Sequence, residues 1–233
     1  MTDSTKIRKA NPFEKIVAER VSDSKTQIPH FYVIAEANVS KLLDLRSAVN
    51  EASTTESRLS VNDFIIAAVA RGLSDLSDLN SIWKDGEITT FNAVDIGVVV
   101  STDKGLYIPV LKDLSEKNIH QISGMMDEMA AQANSGKLTL DDMKGGAISI
   151  SNVGMHGSVT MLPIINYGQS AVLGVGAPSD VFRPDENGAP SLCKEIKLAL
   201  ACDHRIYDGV KATQLLGSIA DMLTKPEKLI SSN

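Results

Sequence analysis

Cysteine is scarce in this chain: only Cys193 and Cys202 occur among 233 residues. Both fall in what reads as one extended run, where two thiols cannot bridge each other, so no disulfide framework exists. No apolar run reaches the roughly 20 residues that cross a bilayer, and Met1 to Ala10 lack the apolar stretch of a secretory signal. These absences fit a reduced, soluble, cytoplasmic protein whose first residues form an arm, loose or wrapped on a neighbouring subunit. Blocks of one charge are missing too: acidic and basic residues are interspersed at a formal net charge of −6. That argues against nucleic acid and anionic lipid as partners. Internal repeats, low-complexity tracts and Pro- or Ala-rich linkers are absent, which points to one domain. No His, Cys and carboxylate cluster has metal-ligand spacing, no Gly-x-Ser-x-Gly elbow occurs, and no Gly-x-Gly-x-x-Gly follows a strand, which disfavours metal and dinucleotide chemistry.

What is present is a core-forming chain, 43% hydrophobic and 22% charged, of ordinary globular composition. Asn11-Pro12 followed by Phe13, Ile16, Val17 and Val21 predicts a first helix. Phe31 to Ala35 predicts a strand, and Ser40 is placed to cap a second helix carrying Leu42, Leu43, Leu45 and Val49. A polar loop, Ala52 to Ser60, precedes a long helix over 61–76, with Trp83 in a turn region beyond it. Val94 to Val100 is too continuously apolar for a one-sided sheet, and Tyr107 to Leu111 reads as a further short strand. Ser115 is placed to cap a helix that stops at Gly136, its methionines serving as core filler. Gly145 to Gly154 reads as a small-residue strand ending in a Gly-rich turn where a backbone or ligand can approach closely. Strands at 172–175 and 196–202 and an amphipathic helix over about 208–223, stopped by Pro226, complete helices packed on a mixed sheet.

Four histidines are candidates for chemistry: His30, His120, His156 and His204. His204 stands out because it follows the buried run 198–202 and precedes Gly209 at a helix start, where a side chain is held rigidly yet reaches solvent. His30 reads as a packing residue, and His156, close in sequence to Ser151, is within possible reach of a substrate.

The run Asp203-His204-Arg205-x-x-Asp208-Gly209 resembles the signature of the dihydrolipoamide acyltransferase catalytic domains, the core subunits of 2-oxo-acid dehydrogenase complexes. It also resembles the His-x-x-x-Asp-Gly of chloramphenicol acetyltransferases. Ordered landmarks extend the likeness from about Lys25 to Ile230: Ile28-Pro29-His30, Asn80-Ser81-x-Trp83, Asp95-Ile96-Gly97, Ser149-Ile150-Ser151-Asn152 and Leu173-Gly174-Val175-Gly176. The resemblance implies an α/β chloramphenicol acetyltransferase-like fold of two layers, with a mixed central sheet and a homotrimer that shares its active sites between subunits. Residues 1–24 would form an arm and first helix, and 25–233 a catalytic domain without lipoyl or peripheral subunit-binding domains. Coenzyme A or acetyl-CoA is implied as co-substrate, not as a tightly bound cofactor, with a lipoyl group as a further possibility.

The implied roles are physically sensible. A thiol of pKa near ~8.5 is a few per cent thiolate at pH 7, so His204 as general base raises the nucleophile available. Ser151, from the neighbouring subunit, would donate to the oxyanion, an effect of about 3 kcal/mol. Asp208 would order the site by pairing with Arg8, Arg20 or Arg205, or would simply cap the last helix.

The Met161 and Tyr167-Gly168 positions depart from the family pattern. The first expectation is therefore a free-standing enzyme that acetylates a small-molecule or carrier-bound alcohol, such as a tetronate, in biosynthesis. Two alternatives stand beside it: a dihydrolipoamide acyltransferase core, and a non-catalytic assembly core. Lys225 to Ile230 resembles the apolar tail that joins core trimers into cages, with Ser231-Ser232-Asn233 following it.

Overall fold

The computed structural model describes residues 5–53, 58–103 and 105–230. The first part of the arm, the middle of the Ala52–Ser60 loop and the Ser231–Asn233 tail lie outside them. Helix α1 (Pro12–Gln27) starts where the Asn11-Pro12 pair predicts, closed by a reciprocal cap between Asn11 and Glu14. It runs to Gln27, past position 24, where the arm and first helix together are expected to end. β1 (His30–Asn38) and α2 (Ser40–Ala52) follow, and helix α3 (Val61–Asp75) is capped the same way by Ser60 and Asp63.

Two expected caps are corrected. Ser40 lies inside α2, whose N-cap Val39 makes no side-chain bond; its hydroxyl instead accepts the Lys194 amide at 2.9 Å, tying the helix to a strand. Ser115 caps nothing: its carbonyl accepts Arg71 at 3.2 Å.

Trp83 is likewise in a strand, not a turn. The hairpin of β2 (Ser81–Lys84) and β3 (Glu87–Thr90) turns through Asp85 and Gly86 at φ 51° and 87°, conformations that Asp tolerates and Gly favours. The apolar stretch 94–100 resolves into β4 (Ile96–Val98) and β5 (Val100–Thr102), followed by β6 (Gly105–Tyr107) and β7 (Val110–Leu111). Helix α4 (Ile119–Ser135) is capped by Asn118 with Gln121 and ends at Gly136 in the left-handed region at φ 70°. Met125, Met126 and Met129 pack against the core, as expected.

The remaining strands are β8 (Ile148–Asn152), β9 (Ala171–Val175), β10 (Ser179–Pro184) and β11 (Pro190–Asp203), before α5 (Gly209–Thr224) and α6 (Glu227–Ile230). The main sheet runs β1-β11-β9-β8-β4-β7, with β10 paired to β11. β8 is parallel to both β4 and β9, and the other pairs are antiparallel, so the sheet is mixed. On one face, Leu198, Leu200 and Cys202 of β11 join α3 and α5 in a single buried cluster with Phe64, Leu73, Leu215 and Ile219. Leu229 of α6 is 2% exposed in that same cluster, so the C-terminal turn docks on its own chain. The opposite face is covered only in part, by a small cluster of Ile28, Ile165, Val172 and Ala201. Ile34 remains exposed there.

No helix among the described residues is long and apolar enough to cross a membrane. Both cysteines are free and lie on β11, nine residues apart, so they stand roughly 30 Å from each other.

Candidate active site

β11 ends at Asp203, and the chain must turn at once to start α5. That corner is fixed from several sides. The Asp203 carbonyl accepts the amides of Ile206 and Tyr207 at 3.0 and 2.9 Å, while the Asp203 amide bonds to the Ser170 carbonyl. Tyr207 is fully buried and donates its hydroxyl to the Leu79 carbonyl at 2.9 Å; burial drives its pKa upward, so it remains a neutral anchor. Asp208 caps α5 by accepting the Lys211 amide at 2.8 Å.

The capping alternative for Asp208 is met, while the expected pairing with an arginine does not form within one chain. Arg8 is held by the two Glu14 oxygens at 2.6 Å each. Arg205 grips Asp203, only 1% exposed, with its Nε on Oδ1 at 2.9 Å and Nη2 on Oδ2 at 2.7 Å. A buried carboxylate two residues away, which needs compensation, wins the guanidinium. Among the described residues no ion pair joins Asp208 to an arginine. Arg205 also lies over the Trp83 ring, 5.4 Å from its centre, and borders a cleft of about 500 Å³ with Trp83, Tyr167 and Gln169. His204 does not line that cleft.

His204 itself is pinned through its backbone, whose amide donates to the Pro29 carbonyl at 3.0 Å. Its ring rests 4.5 Å from that of Phe31 and is exposed. The frame is rigid and the imidazole is free at its edge, which suits a group that must take and return a proton. Burial pushes the Cys202 thiol up to about 12 and raises that of Cys193, which disfavours the reactive thiolate of either on β11.

Ser151 sits on β8, partly exposed, and its hydroxyl has no hydrogen-bond partner among the described residues. The register places it away from His204. Ser151 pairs with Gly174 and Gly174 with Ala199, so it is level with a position five residues before His204 and two strands across. At about 3.3 Å per residue and 4.8 Å per strand, the separation is on the order of 20 Å. The fold therefore brings Asp208 into the His204 corner and leaves Ser151 far from it within one chain.

Two features of the site escaped the sequence reading. Gly174 and Gly176 are small because the stretch 159–163 crosses directly over them. A Cβ on Gly176 would stand 1.9 Å from the Val159 carbonyl oxygen, and one on Gly174 3.0 Å from that of Met161. The Leu173-Gly174-Val175-Gly176 pattern was the available signal. The second is the Ser149, Asn166 and Gln169 cluster, in which Asn166 Nδ2 donates to Ser149 Oγ at 2.9 Å and to Gln169 Oε1 at 3.0 Å.

A mixed α/β sheet holds an exposed imidazole at a locked strand end, where it is free to exchange a proton. The model of the 2-oxoacid dehydrogenases acyltransferase catalytic domain matches residues 2–231, and the chain belongs to that acyltransferase family. It is 37% identical over 222 residues to the dihydrolipoyllysine-residue acetyltransferase component of the Rickettsia felis pyruvate dehydrogenase complex, covering 94% of this chain and 54% of that protein. The chain thus spans about half the length of such relatives.

Among solved structures it superposes on a probable dihydrolipoamide acetyltransferase from Listeria monocytogenes at a TM-score of 0.90, with 31% identity and 99% and 97% of the two chains covered. The cubic core of a pyruvate dehydrogenase multienzyme complex gives 0.90 at 27% identity, covering 98% and 96%. The Azotobacter vinelandii dihydrolipoamide acetyltransferase, studied for the roles of a serine, a histidine and an asparagine in its catalytic mechanism, gives 0.89 at 27%, again covering 98% and 96%. Chloramphenicol acetyltransferase shares the fold, with a TM-score of 0.57 at 13% identity over 88% of this chain and 94% of the other.

Proposed function

We propose that this domain moves an acyl group, acetyl by likeness to its relatives, between coenzyme A and the thiol of a dihydrolipoyl group. The His204 corner carries the reading: a fixed, open imidazole in a chain of an acyltransferase family. The imidazole takes the proton of the attacking thiol, whose sulfur bonds to the thioester carbonyl carbon. The tetrahedral oxyanion accepts a hydrogen bond from the Ser151 hydroxyl. Collapse breaks the original carbon–sulfur bond, and the departing thiolate recovers the proton from the imidazolium.

The roughly 20 Å between His204 and Ser151 in one chain supports a site shared by two copies, and a closed homotrimer meets that need with one site per interface. Residues 25–233 then form the catalytic unit, and residues 1–24 supply subunit contacts through α1. Its Phe13, Ile16, Val17 and Val21 are 44–51% exposed. The Azotobacter protein supports the residue roles: its asparagine follows its histidine by four positions, the spacing of Asp208 from His204 here.

The alcohol acceptor expected first has less support than the dihydrolipoyl thiol, since the relatives are named for dihydrolipoyllysine. The non-catalytic alternative would leave an intact His204, Ser151 and Asp208 without a task. Mass spectrometry of acetyl-CoA incubated with dihydrolipoamide and a panel of alcohols tests the reading. Acetyl-dihydrolipoamide is expected to dominate, and His204→Ala to slow its formation by about 10²- to 10⁴-fold. An alcohol acetylated more efficiently than dihydrolipoamide, or a His204→Ala variant with near-normal turnover, overturns it.

A further inference from the structure

The stretch 158–167 has no helix or strand, yet it passes over Gly174 and Gly176, and Gly174 is the strand neighbour of Ser151. It therefore forms a wall beside the Ser151 hydroxyl. Its outer surface is apolar, with Val159, Leu162, Ile164 and Tyr167 exposed and Met155 just before it 88% exposed. No lysine or arginine occurs from Val153 to Gly168. Such a surface suits a hydrocarbon chain and brings no permanent positive charge to phosphates.

A segment without ladder partners needs other means to hold its backbone. Two side chains from remote elements take both polar groups of Ile165, which is 1% exposed. The Ile165 amide donates to His30 Nε2 at 3.0 Å, and its carbonyl accepts the Ser24 hydroxyl. Because Nε2 accepts, the His30 proton lies on Nδ1, which faces the Ile28 carbonyl at 2.8 Å. His30 thus acts as a neutral clamp between the end of α1, the start of β1 and the wall. It also stands opposite Asp203 in the β1–β11 register, one residue from His204.

We propose that His30 is a positioning residue that holds the 158–167 wall for the hydrocarbon arm of the dihydrolipoyl acceptor. The inference rests on the thioester-transfer reading above. A wall displaced by about 1 Å can cost one to two orders of magnitude in rate, and the loss should fall on the substrate that uses it. In His30→Ala, kcat/KM for dihydrolipoamide should drop about tenfold, while the KM for acetyl-CoA stays within about twofold of wild type. His30→Gln, whose amide oxygen can stand where Nε2 stands, should recover most of the loss. Ser24→Ala, which leaves no ring-sized cavity, should shift kinetics in the same direction.

Hydrogen exchange gives a readout independent of turnover. Peptides covering 158–167 should exchange faster in His30→Ala, with β9, β11 and α5 unchanged. Equal losses for both substrates together with faster exchange throughout the domain, or unchanged acceptor kinetics in both His30→Ala and Ser24→Ala, overturn the proposal. An inactive His204→Ala beside a normal His30→Ala refutes the clamp alone; an active His204→Ala refutes the transfer reading itself.

Discussion

Asp208 accepts the Lys211 amide at the first turn of α5, and it follows His204, the proposed base, by four residues. Two substitutions separate these roles. Alanine removes the cap and should lower stability by about 1 kcal/mol in urea denaturation, whereas asparagine, an equally good cap, should leave it within a few tenths. Acyl transfer by Asp208→Asn is expected to stay within a few-fold of wild type; a large loss of kcat without loss of stability would show that the site needs the negative charge. The sequence made His204 legible, because a polar motif directly after a buried apolar run marks a strand end. It did not reveal that Arg205 belongs to Asp203, since local sequence cannot rank two nearby carboxylates by burial. His30 read as packing for the same reason: its partner, Ile165, is 135 residues away.

At the scale of elements, α3 begins inside the protein. Asp63 is 2% exposed, and burial raises its pKa against the opposing hydrogen bonds from Ser60 and Ser123. A carboxyl with a folded pKa above its unfolded value, near ~4, stabilises the fold fully below that unfolded value. The contribution is lost as pH rises through the folded pKa. Wild type should therefore lose stability relative to Asp63→Asn as pH increases from about 4 towards 7, measured as urea midpoints; a constant difference would refute the titration.

Glycines offer a second element-level test. Gly176→Ala must push against the Val159 oxygen and should be destabilising by about 2 kcal/mol or more. Gly124→Ala, mid-helix in α4 with open space around it, should stabilise by about 0.4–1 kcal/mol. Thermal melts of the two variants should move in opposite directions. Helices were legible here because their 3.6-residue apolar spacing is a local signal, although two of their caps, at Ser40 and Ser115, were misplaced. β10 was missed because its outward residues, Phe182 among them, remain exposed, leaving no clean alternation of buried and polar positions. The run 94–100 read as one strand because apolar continuity does not show where pairing partners change.

For the whole molecule, the proposed site shared between copies, drawn from the distance between His204 and Ser151 in one chain, would make activity a property of the assembly. Neither His204→Ala nor Ser151→Ala chains should support normal transfer alone. Co-expressed at equal amounts, they should form mixed trimers in which about one quarter of the interfaces combine an intact histidine with an intact serine. Partial activity in verified mixed trimers is the expected result, and none at all would place the site within one chain. The proposed sharing was suggested in the sequence only by the family likeness, since no local pattern states which residues meet across copies.

The wall over Gly174 and Gly176 has a consequence for how such a domain diversifies. Its course is set by backbone seats and by grips on Ile165, so Leu162 and Ile164 are largely released from folding duties. Under the proposed acceptor role, point changes along that outward row would alter which molecule is welcomed without replacing any residue of the His204 corner. On that proposal a lineage would explore new acceptors one residue at a time while the backbone seats on Gly174 and Gly176 stay in place.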